Sequence, residues 1–210
     1  VTLRIAAALV LALGIAGLMG FLHLLGEGPF ARPEARHMRA MKDRSVAPTE
    51  AAPTSVSLFD SLPYRRPLAE YAPFERRGVV MEGYIKHMLR APDGDIHLEV
   101  TATASEPGVP VPYATAEITP QWHRGAARWE YESLRAAFRS GSGGDVSRWQ
   151  DPPRRVRLTG WLMYDFQFET RRPDLTRGPS ELRESGWELH PVTKIEIWND
   201  ALAAFVEVPR

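Results

Sequence analysis

The sequence predicts a mainly β fold: a small five-stranded barrel with one helix between its third and fourth strands, set behind an apolar N-terminal helix. Three observations carry this. The first 25 residues hold an unbroken apolar run, the next 45 are rich in proline, and from about residue 76 apolar side chains alternate in short runs bounded by turn residues. The chain has 210 residues, with 26 Lys plus Arg against 26 Asp plus Glu, so length sets the expectation at one domain with accessories. It has no cysteine, which excludes disulfides, thiol catalysis and Cys-based zinc sites but leaves His and carboxylate metal sites open. A hydrophobic fraction of 44% is too high for a disordered chain.

Residues 5–25 read IAAALVLALGIAGLMGFLHLL, with His23 the one ionisable group. At 1.5 Å rise per residue, such a run matches a hydrocarbon core of roughly 30 Å. The stretch FLHLLGEGPF offers no small-x-small cleavage site, so an uncleaved, single-pass membrane anchor is expected rather than a removed signal. Arg32, Arg36, Arg39, Lys42 and Arg44 after the span argue for a cytoplasmic domain. The very short leading tail and the interspersed Glu34 and Asp43 argue the other way, and the expected location is the periplasmic face of a bacterial inner membrane. Val1 in place of Met suggests a literally translated GTG start, hence a bacterial source. Ala8, Ala12, Ala16 and Gly20 form a small-residue stripe that suits a homodimer, although such residues are common in any anchor.

The domain expectation is an anchor over 1–25, a Pro/Ala-rich linker over 26–70 and a barrel domain over 71–210. Counted through residue 75, the linker stretch holds seven basic and seven acidic residues, so it is no polybasic lipid-binding segment. Its apolar residues Leu58, Phe59, Leu62, Tyr64 and Leu68 suit docking onto the domain that follows. Strands are expected over 78–90, with a bulge or sharp coil at Gly83, and over 95–104 and 113–120. A helix follows over 124–139, stopped by the SGSGG run at 140–144, and two more strands cover 155–165 and 190–199.

Three strands, a helix and two strands in this order resemble the OB-fold, a five-stranded Greek-key barrel. An SH3-like barrel and an open α+β sheet are the alternatives. The segments DGDIHLEV, GWLMYD and WELHPVTKIEI are also similar to those of a group of bacterial exported OB-like domains. What the resemblance implies is the fold, with ligands taken at the loop between the first two strands and at the loop between the last two.

In the second strand Asp95, His97 and Glu99 alternate with Ile96, Leu98 and Val100, so the polar three share one face and the apolar three line the barrel. Imidazole and carboxylate suit a divalent metal such as zinc or manganese, and His97, Glu99 and His190 are the candidate ligands. A polar solvated face is the plainer explanation. Asp93 joins the candidates from the first loop, and Glu117 from the polar face of the third strand. Trp187, Glu188 and His190 join from the end of the last loop, where Pro191 holds His190 extended.

The turn Asp93-Gly94-Asp95 also resembles that of staphylococcal-nuclease-like OB barrels. Ile96 stands where that family has Thr, and YATAEITPQWHRG supplies no arginine motif, so phosphodiester hydrolysis would lack its charge stabilisation. No P-loop, nucleophile elbow or H-E-x-x-H helix is present. Single-strand binding by OB-folds uses aromatic platforms and cationic grooves. The near balance of charge beyond residue 76 therefore makes nucleic acid an unlikely partner. The function expected is a membrane-tethered binding or scaffolding module whose partner is an envelope protein or glycan. A metal-dependent hydrolase using Asp95, His97, Glu99, Glu117 and His190 is the alternative.

Overall fold

The computed structural model describes residues 10–20, 31–104, 111–123, 128–139, 145–148, 152–168 and 183–210. It separates into two compact units, Val1–Met41 and Lys42–Arg210. In the first, residues 10–20 are helical (α1), and Pro33 opens α2 (Pro33–Lys42), where its fixed φ and missing N–H suit a first helical position. Among the described residues no helix is long and apolar enough to cross a membrane. Residues 5–9 and 21–25 of the expected span lie outside the described residues.

The second unit contains β1 (Ala51–Ser55), β2 (Gly78–Arg90), β3 (Ile96–Thr101), β4 (Tyr113–Ile118), β5 (Arg154–Tyr164), β6 (Arg183–Asn199) and β7 (Ala204–Glu207). Three short helices, α3 (Ala72–Glu75), α4 (Pro120–His123) and α5 (Tyr131–Phe138), complete it. The strands run β2-β3-β4-β6-β5, and β5 pairs back to β2, closing a five-stranded barrel. Only β4–β6 within it is parallel, and α5 lies between β4 and β5 in the chain. This connectivity is that of the OB-fold. To it β1 adds in parallel on β2 and β7 antiparallel on β6.

Two features of β2 let one strand serve two neighbours. It pairs with β5 from Gly78 to Ile85 and with β3 from Tyr84 to Arg90, so it coils sharply near Gly83. A Cβ at Gly83 would stand 2.6 Å from Val100 Cγ1 and 2.8 Å from the Thr101 carbonyl. The bulge itself falls at Lys86, not at Gly83, because the β3 register shifts between Ile85 and His87. Inward positions change phase there, from Val79, Met81 and Ile85 to Met88. Gly83→Ala is expected to lower stability by about 1–3 kcal/mol through overpacking against backbone that cannot give way. A urea midpoint unchanged by the substitution would contradict that account.

Residues 42–70, expected as a tether, are packed into this unit. Val56 and Phe59 are core residues, Leu62 and Tyr64 lie against them, and Leu58 stays exposed. Proline-rich backbone is poor in donors but keeps its carbonyls, and three tryptophans use them. Trp122, Trp161 and Trp187 donate their indole N–H to the carbonyls of Arg44, Val46 and Pro63 at 3.0, 2.8 and 2.8 Å. Trp187, Tyr71 and Tyr164 form one buried aromatic group, the two tyrosines stacked at 4.2 Å. Of the helix expected over 124–139, Tyr131–Phe138 is observed, and residues 124–127 lie outside the described residues.

Candidate functional site

The turn from β2 to β3 is shaped by Gly94, whose φ of 96° is the left-handed region glycine favours. Its amide donates to the Ala91 carbonyl at 3.0 Å, and the Asp95 amide to Asp93 Oδ1 at 3.2 Å. The turn thus presents both carboxylates at the head of β3. From there the pairing dictates the rest. His97 faces Glu117 and Glu99 faces Thr115 across β3 and β4, while Thr115 faces Glu188 across β4 and β6. Partners in register share a face, so these side chains and His190, two residues beyond Glu188, stand together on the outside of the barrel wall. Ile96, Leu98, Val100, Ala116, Ile118 and Leu189 point inward and belong to the core.

This outer face is buried, not solvated. Asp95, Glu117, Glu188 and His190 are between 0% and 4% exposed. His190 Nδ1 lies 3.0 Å from both Glu117 Oε2 and Glu188 Oε2, and its Nε2 lies 3.5 Å from Asp95 Oδ2. His97 Nε2 reaches Glu117 Oε1 at 2.8 Å. Lys42, the last residue of α2, places its Nζ 3.0 Å from Asp93, 3.6 Å from Asp95 and 3.9 Å from Glu117. Behind Glu188, Arg183 Nη2 approaches Glu188 Oε1 at 2.6 Å and Asp165 at 4.0 Å, while its Nε donates to the Ser185 carbonyl at 2.8 Å. Its guanidinium lies 4.5 Å over the Phe168 ring.

Protonation follows from this crowding. Burial alone would lower His190, but the carboxylates of Glu117 and Glu188 overcome it and raise the imidazole to about 10. Burial would raise Glu117, yet the charge of His190 and the hydrogen bonds from both histidines hold it well below the usual carboxylate range. Burial pushes Asp95 up to about 7 against the opposing pull of His190, and Asp165 up to about 7 with the help of Glu188. His97 is raised, its bond to Glu117 outweighing burial, and so is Lys42, where Glu117, Glu188 and Asp93 outweigh it. Asp93 is lowered, Lys42 outweighing burial.

Of the residues singled out in the sequence, Asp93, Asp95, His97, Glu117, Glu188 and His190 are brought together. Glu99 shares their face, but its carboxylate lies 3.1 Å from His87 Nδ1 of β2. The His97, Glu99 and His190 ligand set is therefore not the one assembled; Asp95, Glu117 and His190 place ligand atoms within 4.8 Å of one another. Trp187 points to the opposite side of β6, into the aromatic core. Sequence reasoning missed Lys42, Asp165 and Arg183. Asp165 carried the one usable signal, a carboxylate closing the apolar run GWLMY.

No family model matches this sequence, and no curated relative does. Among solved structures, the chain is similar to asparaginyl-tRNA synthetase from Entamoeba histolytica, at 14% identity over 57% of this chain and 20% of that one, with a TM-score of 0.33. The same enzyme in complex with asparaginyl-adenylate matches at 15% identity over 70% of this chain and 24% of that one, with a TM-score of 0.37. Aspartyl-tRNA synthetase from Entamoeba histolytica matches at 12% identity over 79% and 28%, with a TM-score of 0.30. The chain thus spans between 20% and 28% of the length of these synthetases. The fold rests on the strand connectivity.

The expectation that nucleic acid is an unlikely partner is corrected by the fold itself, since OB barrels hold single strands on aromatic and cationic surfaces whatever the net charge. Its physical weakness is that net charge averages over a whole surface. Arg155 lies 4.4 Å over the Trp198 ring and Arg157 4.0 Å over the Phe205 ring, both also paired with Glu82, a local arrangement of cations and aromatics that whole-chain charge balance does not describe.

Proposed function

We propose that the chain is a membrane-tethered binding module of the bacterial cell envelope, whose OB barrel takes a polar ligand beside the β2–β3 loop. The observation that carries this reading is a cavity of about 480 Å³ at that loop, lined among others by Arg90, Gly94, His123, Tyr131 and Glu132. Its size is in the range of small-ligand sites, and OB-folds take ligands at this loop. His123 Nε2 lies 2.6 Å from the Gly94 carbonyl, and Arg90 lies 4.3 Å over the Tyr131 ring. The wall is therefore braced and presents a flat, charged surface. The hydrolase reading gains no support, because a substrate needs access and His190 and Glu188 are fully buried.

The tether reading is supported by the apolar run 5–25 and by α1, which exposes Val10, Leu11, Leu13, Ile15 and Leu18. Such side chains call for lipid or a partner. A periplasm-dependent phosphatase fused after Arg210 is expected to be active; activity confined to a cytoplasm-dependent reporter would place the domain on the other side. Ligand binding is tested by fluorescence anisotropy with a labelled envelope glycan and a labelled oligothymidylate. Binding of one probe that falls about tenfold or more in an Arg90→Ala, Tyr131→Ala variant supports the cavity, a loss of about 1.4 kcal/mol. No binding of either probe, or binding indifferent to the variant, would overturn it.

A further inference from the structure

We propose that Asp95, Glu117 and His190 form a site for one divalent transition-metal ion, and that Lys42 is the built-in cation with which that ion competes. The site is separate from the cavity beside the β2–β3 loop, and either can fail without the other.

The three side chains come from the β2–β3 turn, β4 and β6, so the closed barrel fixes their spacing. Each is at least nine-tenths buried, and His190 Nε2 is sealed from solvent without a hydrogen-bond partner. Buried polar atoms left in that state are rare and call for an explanation. Here that nitrogen faces into the cluster, 3.5 Å from Asp95 Oδ2. Ligands around an ion at 2.0–2.2 Å in tetrahedral geometry stand about 3.4 Å apart.

The remaining atoms of the same side chains are held from behind. Glu188 lies 3.0 Å from His190 Nδ1, with Arg183 bracing Glu188 at 2.6 Å, a carboxylate–imidazole pairing that leaves Nε2 as the coordinating nitrogen. His97 takes Glu117 Oε1 at 2.8 Å, while Oε2 lies 3.0 Å from His190 Nδ1 and 3.9 Å from Lys42 Nζ. One imidazole nitrogen with two carboxylates selects zinc, manganese or ferrous iron over magnesium and calcium, which prefer oxygen alone.

Lys42 gives the site its second property. Its ammonium lies 3.6 Å from Asp95 Oδ2 and 3.9 Å from Glu117 Oε2, against the carboxylates the ion would use, while its shortest contact is to Asp93 outside the trio. An entering ion displaces the ammonium toward Asp93, so Lys42 sets the affinity.

The full chain, stripped with chelator in detergent, is titrated by calorimetry with Zn²⁺ and Mn²⁺, and separately with Mg²⁺ and Ca²⁺, with thermal melting alongside. The expected result is one Zn²⁺ or Mn²⁺ per chain and a melting temperature that climbs with metal concentration. Mg²⁺ and Ca²⁺ are expected to bind at least about tenfold more weakly. Asp95→Asn and His190→Gln are each expected to weaken binding by about tenfold or more, and Lys42→Ala to tighten it. If His190→Gln fails to fold, Asp95→Asn decides, since it keeps shape and removes only charge. Absence of Zn²⁺ and Mn²⁺ binding, or binding that survives Asp95→Asn, overturns the site. Binding that Lys42→Ala leaves unchanged overturns the competition.

Discussion

Replacing Arg183 with methionine is expected to lower unfolding free energy by about 3–5 kcal/mol, the usual result of breaking a buried ion pair by removing one partner. Glu188 is fully buried and Arg183 Nη2 lies 2.6 Å from its Oε1, so the substitution strips that oxygen of its cation and leaves only His190, 3.0 Å from Oε2, beside a buried charge. The Ser185 carbonyl loses its donor at the same time. A total stability of about 5–15 kcal/mol is ordinary for a domain of this kind, so the variant should sit near the edge of folding. The cost comes from the stranded charge rather than from lost attraction, and a second substitution should therefore return much of it. Arg183→Met combined with Glu188→Met is expected to be more stable than Arg183→Met alone, as read from urea midpoints. If the double variant is no better, Arg183 acts through packing on Phe168 and the electrostatic account fails.

In chelator, stability should fall as pH rises from about 5 to about 10, the reverse of the rise seen when carboxylates hold depressed values. Asp95 and Asp165 move from an ordinary 3.8 to about 7, and His190 from 6.5 to about 10. All three folded-state values are raised, so each contributes stability that is fully present below the unfolded value and lost as pH climbs through the folded one. The two aspartates act between about 4 and 7 and His190 between 6.5 and 10. A difference of one bound proton is worth about 1.4 kcal/mol per pH unit. Glu117 opposes below its ordinary 4.5, because its depressed value contributes stability that is lost as pH falls further. Urea midpoints at pH 5, 7 and 9 should therefore descend, and His190→Gln should flatten the step from 7 to 9. A midpoint that rises across this range would show that the cluster ionises otherwise.

How far the sequence was readable tracks how local the cause of each feature was. The strand over 78–90 was read to its ends because alternation and flanking turn residues lie within it. The stretch 183–189 was missed because Ser185 and Gly186 carry no apolar alternation and Arg183 serves an ion pair. β1 was missed because AAPTS has no strand signature of its own and is held by parallel pairing with β2. In the site, Asp95, His97 and Glu117 followed from parity along two strands. Glu188 and His190 needed the β4–β6 pairing, which only the barrel topology supplies. Lys42, Asp165 and Arg183 arrive from elsewhere in the chain, and no spacing announces them. Glu99 shows the converse: its parity is right, yet its nearer neighbour His87 lies on β2.

The parallel pairing of β4 with β6 gives this protein a direction in time. β2, β3 and β4 pair with their neighbours in sequence, whereas β6 must come back across α4, α5 and β5 to meet β4. Pairings so distant in sequence form slowly, after the loops between them have been closed. A chain synthesised from its N-terminus therefore leaves Asp95 and the His97–Glu117 pair exposed to water until β6 emerges. Only then do Glu188 and His190 arrive and seal them in. Burial of the charged cluster therefore waits on β6, so a chain cut short before that strand would advertise itself by a polar patch that the closed barrel hides.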